Sequence, residues 1–249
     1  MKTYGLIGYP LSHSFSKKYF TEKFLREGNA DHEYELFPIE NIQSLPGLID
    51  KNRSLCGLNV TIPHKINVIS YLNEVEEAAE KIGAVNCISI KWDEQNVYMK
   101  GYNTDAYGFE SSLRPLLKPQ HTKALVFGDG GAAKAVKYVL KKLNISFQVV
   151  VRKETKKAIL YSDITPEILT SHKLLINTTP LGMSPNTTTY PDIDYALLNS
   201  DYLAYDLVYN PLETAFLNKA SANGADVKNG LEMLHKQAEK AWEIWNNIP

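Results

Sequence analysis

Apolar positions along the chain switch period repeatedly, from short alternating or continuous runs to stripes that recur every three or four residues. The runs Tyr4 to Ile7, Tyr34 to Phe37, Lys123 to Phe127, Phe147 to Val151, Leu174 to Asn177 and Leu203 to Val208 read as strands. Helical stripes lie between them, and that alternation predicts an α/β protein with mostly parallel sheets. One βα unit can be read directly. The apolar strand Lys123 to Phe127 runs into glycines and then into Ala132, Ala133, Val136, Val139, Leu140 and Leu143, which share one helical face. Ala84 to Lys91, a polar turn Asp93 to Asn96 and Val97 to Lys100 read instead as an antiparallel hairpin, with a domain junction just after it. The chain closes on a stripe of Leu231, Leu234, Ala238, Trp242, Trp245 and Ile248, a helix that needs a surface to cover and can fold back onto the first half. No internal repeat or low-complexity tract interrupts this order.

Composition narrows the class. The 249 residues suffice for one large domain or two smaller ones, with 44% apolar and 22% charged residues, as in ordinary folded proteins. A net charge of −1 argues against a nucleic-acid partner, which needs clustered cations. No apolar run is long enough to span a membrane, and Met1 to Tyr9 read as a strand rather than a secretion signal, so the expected location is the cytoplasm. Cys56 and Cys87 have no CxxC partner and are expected to be reduced structural thiols. His13 and His64 have no ligand cluster around them, so structural roles are expected and no metal site.

The strongest local chemistry is GDGGAA, Gly128 to Ala133, between a strand and a helix. Gly128 can make the tight turn and Gly130 can let backbone approach a pyrophosphate. Gly131 and Ala132 open the helix, whose amides and dipole face the phosphate charge, and Ala133 allows close helix packing. NAD-binding units of this type carry an acidic residue at the end of the second strand; here Arg152 and Lys153 stand there, which favours the 2′-phosphate of NADP(H). In the first half, Ser14 and Ser16 flank Phe15 before a helical stretch, and can either cap that helix or grip a carboxylate. The polar stretches Asn59 to Lys65, Gly83 to Asn86 and Gly101 to Phe109 stand at ends of apolar strands, where ligands of open α/β sheets collect.

With those stretches in hand, the chain resembles the shikimate dehydrogenase family. The resemblance is carried by GYPLSHSFS (Gly8 to Ser16), NVTIPHK (Asn59 to Lys65), GAVN (Gly83 to Asn86) and GYNTDAYG (Gly101 to Gly108). It continues through GDGGAAKAV (Gly128 to Val136), INTTPLGM (Ile176 to Met183), DLVYNPLET (Asp206 to Thr214) and GLEMLHKQA (Gly230 to Ala238), all in the family's order. It implies a discontinuous substrate domain, residues 1–103 and 231–249, and an NADP-binding Rossmann domain, residues 104–230. The last helix then returns to the first domain. By matching motif, Ser14 and Ser16 would hold the shikimate carboxylate, and Asn59, Thr61, Asn86, Asp105 and Gln237 the ring hydroxyls. Lys65 and Asp105 would be the catalytic pair at the substrate. Thr178, Pro180, Met183, Val208 and Tyr209 would line the cofactor cleft, with Gly230 near the nicotinamide. The chain departs from the family where Lys17 replaces a proline, Tyr19 and Phe20 replace His-Asn, and Val151, Arg152 and Lys153 replace Asn-Arg-Thr.

The implied activity is reversible NADPH-dependent reduction of 3-dehydroshikimate to shikimate, by an oxidoreductase acting on a CH–OH group in chorismate and aromatic amino acid biosynthesis. Reduction of a ketone puts negative charge on its oxygen, so a proton must come from within hydrogen-bond reach. Lys65 is the expected donor, with Asp105 holding it charged. Two rivals share the resemblance: an NAD-preferring quinate/shikimate dehydrogenase, and a non-catalytic binding relative. A monomer and a homodimer are equally compatible with the sequence.

Overall fold

The computed structural model describes residues 1–11, 14–94 and 96–246. Ser12, His13, Gln95 and Ile248 lie outside them. The chain divides into two units, Met1–Thr104 with Ala238–Pro249, and Asp105–Gln237.

The first unit contains β1 (Lys2–Gly8), α1 (Phe15–Arg26), β2 (His32–Pro38), α2 (Leu45–Lys51), β3 (Leu55–Val60), β4 (Glu74–Val75), α3 (Glu77–Ile82), β5 (Cys87–Asp93) and β6 (Asn96–Tyr102). They form one sheet in the order β2-β1-β3-β5-β6-β4. β1 runs parallel to β2 and β3, whereas β5 is antiparallel to β3 and β6, so the hairpin is built into the sheet. β3 is the strand implied ahead of the polar stretch Asn59 to Lys65; the apolar pattern gives it no range of its own, because Gly57 and Asn59 interrupt the run.

Residues on the two faces of this sheet alternate, as the period of a strand requires. Ile7, Leu58, Val60 and Ile88 pack with Leu45 and Ile49 of α2 on one face. Tyr4, Leu6 and Tyr34 pack on the other with Phe20 and Phe24 of α1 and with Ala238, Ala241, Trp242 and Trp245 of the C-terminal helix. The last four are spaced at three and four residues, the stripe that needed a surface. Tyr4 stacks on Trp245 at 4.9 Å and meets Trp242 edge-on at 5.4 Å. The Trp245 indole donates to the Ile88 carbonyl at 3.0 Å. Each such buried aromatic contributes roughly 1.5 to 3 kcal/mol.

The second unit contains most of α4 (Thr104–Leu113), then β7 (Lys123–Phe127), α5 (Gly131–Lys142), β8 (Ser146–Val151), β9 (Ile159–Leu160), α6 (Pro166–Ser171), β10 (Leu174–Asn177), β11 (Leu203–Asp206), α7 (Ala215–Ala222), β12 (Asp226–Lys228) and the start of α8 (Leu231–Trp245). Its sheet has the order β12-β11-β10-β7-β8-β9, with every pair parallel. The order reverses at β7, which makes its carboxyl end a topological switch point. The chain therefore combines a mixed α/β sheet with a doubly wound architecture; the alternation of periods predicted an α/β protein with mostly parallel sheets, and the resemblance implied the Rossmann domain. No helix of the described residues is long and apolar enough to cross a membrane.

Candidate active site

In the first unit a line of buried polar side chains runs across the carboxyl ends of β1 and β3. Asn59, in β3, and Asn86, just ahead of β5, are both buried. The Asn86 amide donates to Thr104 Oγ1 at 3.0 Å, and its oxygen accepts the Thr104 backbone N–H at 2.6 Å. Asn59 Nδ2 donates to the Asn86 carbonyl at 3.5 Å. Its other end is fixed by Tyr34, whose hydroxyl donates to Asn59 Oδ1 at 2.8 Å. Tyr34 lies in β2, stacked on Phe20 at 4.8 Å. Burial pushes its phenol well above the ordinary tyrosine value, while hydrogen bonding from Ser16 pulls the other way. The phenol therefore stays protonated and remains a donor.

Tyr34 thus links two residues that the family resemblance assigns to substrate, Ser16 and Asn59. It was read from sequence only as one position in a strand; no spacing rule connects it to Asn59. The signal available was a tyrosine inside an apolar strand, which needs a partner for its hydroxyl.

Ser14 caps α1: its backbone is extended (φ −100°, ψ 114°) and its Oγ accepts the Lys17 N–H at 3.3 Å. A proline at position 17 has no such N–H, so the departure from the family pattern gives this chain a cap bond. Ser14 keeps its own hydroxyl proton for an acceptor. Lys17 pairs with Glu35 at 2.9 Å. The Tyr19 hydroxyl donates to Glu239, and the buried Lys23 ammonium lies 2.7 Å from the same carboxylate and 2.8 Å from Glu27. Burial pulls the Lys23 pKa down, but the two carboxylates outweigh it and hold it above the ordinary value.

Thr61 and Lys65 follow β3, both half-buried. The Thr61 N–H donates to the Ile7 carbonyl at 2.9 Å, and the Lys65 carbonyl accepts the Val85 N–H at 2.7 Å, which ties the lysine loop to the stretch ending at Asn86. The buried His64 lies between them, its Nε2 2.6 Å from the Ile39 carbonyl, a structural bond. A hollow of about 430 Å³ beside this loop is lined by Glu40, Asn41, Ile42, Pro63, His64 and Asn67, none of them a predicted site residue. His13 lies outside the described residues. Among the described residues no group of His, Cys, Asp and Glu could hold a metal.

In the second unit Asp105 is buried in the first turn of α4. Gly108, on the same face at i+3, is where α4 meets α8 closely. A Cβ there would lie 2.5 Å from the Met233 carbonyl and 3.1 Å from Gln237 Cβ, so the absence of a side chain brings the helices carrying Asp105 and Gln237 together.

The glycine turn after β7 has the form that phosphate binding requires. Gly128 has φ +98°, and a Cβ on it would lie 2.8 Å from Thr179 Cγ2 and 2.9 Å from Thr178 Oγ1. Gly130 is the N-cap of α5, and the space a Cβ would occupy there is open. Gly131 and Ala132 begin the helix and Ala133 is buried. Asp129 of the turn is neutralised by Lys137. β8 ends at Val151, followed by exposed Arg152 and Lys153. An open helix N-terminus with cations, and no carboxylate, immediately after the second strand fits a phosphorylated dinucleotide.

Thr178 bonds back to the Phe127 carbonyl through Oγ1 at 2.7 Å, so the loop after β10 lies against the glycine turn. Pro180 and Met183 are exposed and Val208 is buried, while burial raises the pKa of the half-buried Tyr209. The Gly230 N–H donates to the Val208 carbonyl at 3.1 Å. These residues all stand beyond the carboxyl ends of β10, β11 and β12.

A family model described as the shikimate dehydrogenase substrate binding domain matches residues 6–88. A shikimate dehydrogenase (NADP(+)) from Caldanaerobacter subterraneus subsp. tengcongensis is 37% identical over 265 residues, which cover 98% of this chain and 91% of the relative. Among solved structures, shikimate 5-dehydrogenase from Thermus thermophilus in complex with NADP(H) and shikimate aligns with a TM-score of 0.85 and 30% identity. That alignment covers 100% of this chain and 94% of the other. Quinate dehydrogenase from Corynebacterium glutamicum in complex with NAD aligns with a TM-score of 0.86 and 25% identity, over 99% of this chain and 94% of the other.

Proposed function

The chain belongs to the shikimate dehydrogenase family, and from that premise we propose how its residues carry out reversible NADPH-dependent reduction of 3-dehydroshikimate to shikimate. It is an NADP-dependent oxidoreductase acting on a CH–OH group. The first unit takes the substrate and the second the cofactor. The observation that carries the reading is the neutral hydrogen-bonded line from Tyr34 through Asn59 and Asn86 to Thr104, amide and hydroxyl groups suited to a ring of hydroxyls.

Ser14 and Ser16 hold the ring carboxylate at the start of α1. Asn59, Thr61, Asn86 and Gln237 orient the hydroxyls. Gly128, Gly130, Gly131, Ala132 and Ala133 receive the pyrophosphate, and Arg152 with Lys153 the 2′-phosphate. Thr178, Pro180, Met183, Val208 and Tyr209 line the cofactor cleft, with Gly230 near the nicotinamide. Bound NADPH supplies the hydride. Lys65 delivers the proton to the ketone oxygen as charge develops there, and takes it back in the reverse direction. Asp105 binds the adjacent hydroxyl. The protein works in the cytoplasm, as a monomer or homodimer, without nucleic acid.

The test is an absorbance assay of cofactor reduction with shikimate or quinate, each offered with NADP or NAD. Shikimate with NADP should be the fastest combination by a wide margin. No reduction in any combination would overturn the reading, and fastest turnover of quinate with NAD would move it to the quinate enzymes.

A further inference from the structure

Beneath the loops that follow β10 and β11 lies one buried carboxylate that the reaction does not use, Asp206. It is fully buried, as are Asn177 and Thr214 around it. Its Oδ1 accepts Asn177 Nδ2 at 3.0 Å and the Val208 N–H at 3.0 Å, and its Oδ2 accepts the Thr214 hydroxyl at 2.6 Å. Asn177 passes the constraint on. Its oxygen accepts the Thr179 N–H at 3.0 Å and the Thr179 hydroxyl at 2.6 Å, and its amide also donates to the Leu181 carbonyl at 3.2 Å. One side chain therefore fixes the loop bearing Thr178, Pro180 and Met183 to the loop bearing Val208 and Tyr209.

We propose that Asp206 is a positioning residue of the cofactor cleft, holding these two loops in register as a carboxylate, so that NADP(H) binds tightly only while it is ionised. The proposal rests on the assignment of the second unit to the cofactor.

Every group bonded to Asp206 is a donor, and only an ionised carboxylate is acceptor-only. A protonated acid must itself donate, and of its partners only the Thr214 hydroxyl can turn to accept. That oxygen already receives the Leu217 N–H at 3.3 Å, and the threonine proton would then lose its acceptor. Protonation thus reverses the Thr214 bond, replaces the charge-assisted bonds from Thr214, Asn177 and Val208 with weaker neutral ones, and leaves the threonine proton without an acceptor. Burial raises the Asp206 pKa to about 6, against hydrogen bonds from Thr214, Val208 and Asn177 that lower it. Tyr195 is a titratable group that feels this carboxylate, and its own phenol is pushed upward, chiefly by burial.

The sign for stability is opposite to that for binding. The folded protein takes up this proton at higher pH than the unfolded chain, whose aspartates titrate near about 4. The group's contribution to stability is therefore full below about pH 4 and is lost as pH rises through about 6. A charge that weakens the fold at neutral pH is what a binding role would retain.

The experiment is calorimetric titration of wild type and Asp206→Asn with NADP+ at pH 8 and pH 5, with melting temperatures in the same buffers. The 2′-phosphate itself titrates near about pH 6, as phosphate monoesters do, but it does so for both proteins, so the quantity read is the ratio of their dissociation constants. We expect the variant to bind about tenfold more weakly at pH 8, the worth of one charge-assisted bond, and within about twofold at pH 5, while melting no lower than wild type at pH 8. A ratio near one at pH 8, or the same ratio at both pH values, overturns the proposal. Should Asp206→Asn not fold, Thr214→Val is expected to weaken NADP+ binding and Thr214→Ser to restore it; equal binding by both overturns it as well. If wild type binds no NADP+, the cofactor assignment falls, and this proposal with it.

Discussion

The two units anchor the loops at the carboxyl edges of their sheets with buried polar groups, but they choose different chemistry. In the first unit Tyr34, Asn59, Asn86 and Thr104 form a line of neutral groups, each matched donor to acceptor. In the second, Asn177 and Thr214 converge on the carboxylate of Asp206. A neutral line holds its geometry across the pH range in which enzymes work, whereas an array centred on a carboxylate with a pKa of about 6 does not. Shikimate affinity should therefore be governed by fixed dipoles and cofactor affinity by the protonation of one group.

The comparison sharpens most through a change in the first unit that spares both ligands. Lys65→Ala should lower kcat about 100-fold or more in a steady-state assay, with NADP+ affinity unchanged. Near-normal turnover would remove Lys65 from the mechanism. Arg152→Ala should weaken NADPH binding by about 1.5 to 3 kcal/mol and leave NADH binding nearly as it was. Equal losses for both cofactors would show that the arginine does not read the 2′-phosphate. Tyr34→Phe keeps the stack on Phe20 and removes only the hydroxyl, so KM for shikimate should rise about tenfold at unchanged NADP+ affinity. An unchanged KM would break the neutral line as a functional feature. The smallest effect belongs to Tyr19→Phe, which takes a donor from Glu239 and should cost about 1 kcal/mol in denaturant unfolding without altering KM.

What the sequence made legible was local. β7, the glycine turn and α5 form a continuous strand, turn and helix, and β10 runs over the residues its apolar pattern marked. β11 stops at Asp206, two residues short of the apolar run, because the Asp206 carboxylate accepts the Val208 N–H and turns the chain. Tyr34 and Asp206 each have one partner that no periodicity reveals: Tyr34 reaches Asn59, 25 residues on, across the intervening β1, and Asp206 reaches Asn177 across the parallel pairing of β10 and β11. Motif resemblance proposed the ligand-binding residues and ran through Asn177, Asp206 and Thr214 without assigning them a role.

The most direct test crosses the two units, with calorimetry of shikimate and of NADP+ on Tyr34→Phe and on Arg152→Ala at pH 8. Tyr34→Phe should lose affinity for shikimate alone, and Arg152→Ala for NADP+ alone. Loss of NADP+ binding by Tyr34→Phe, or of shikimate binding by Arg152→Ala, would contradict the division of recognition between the units.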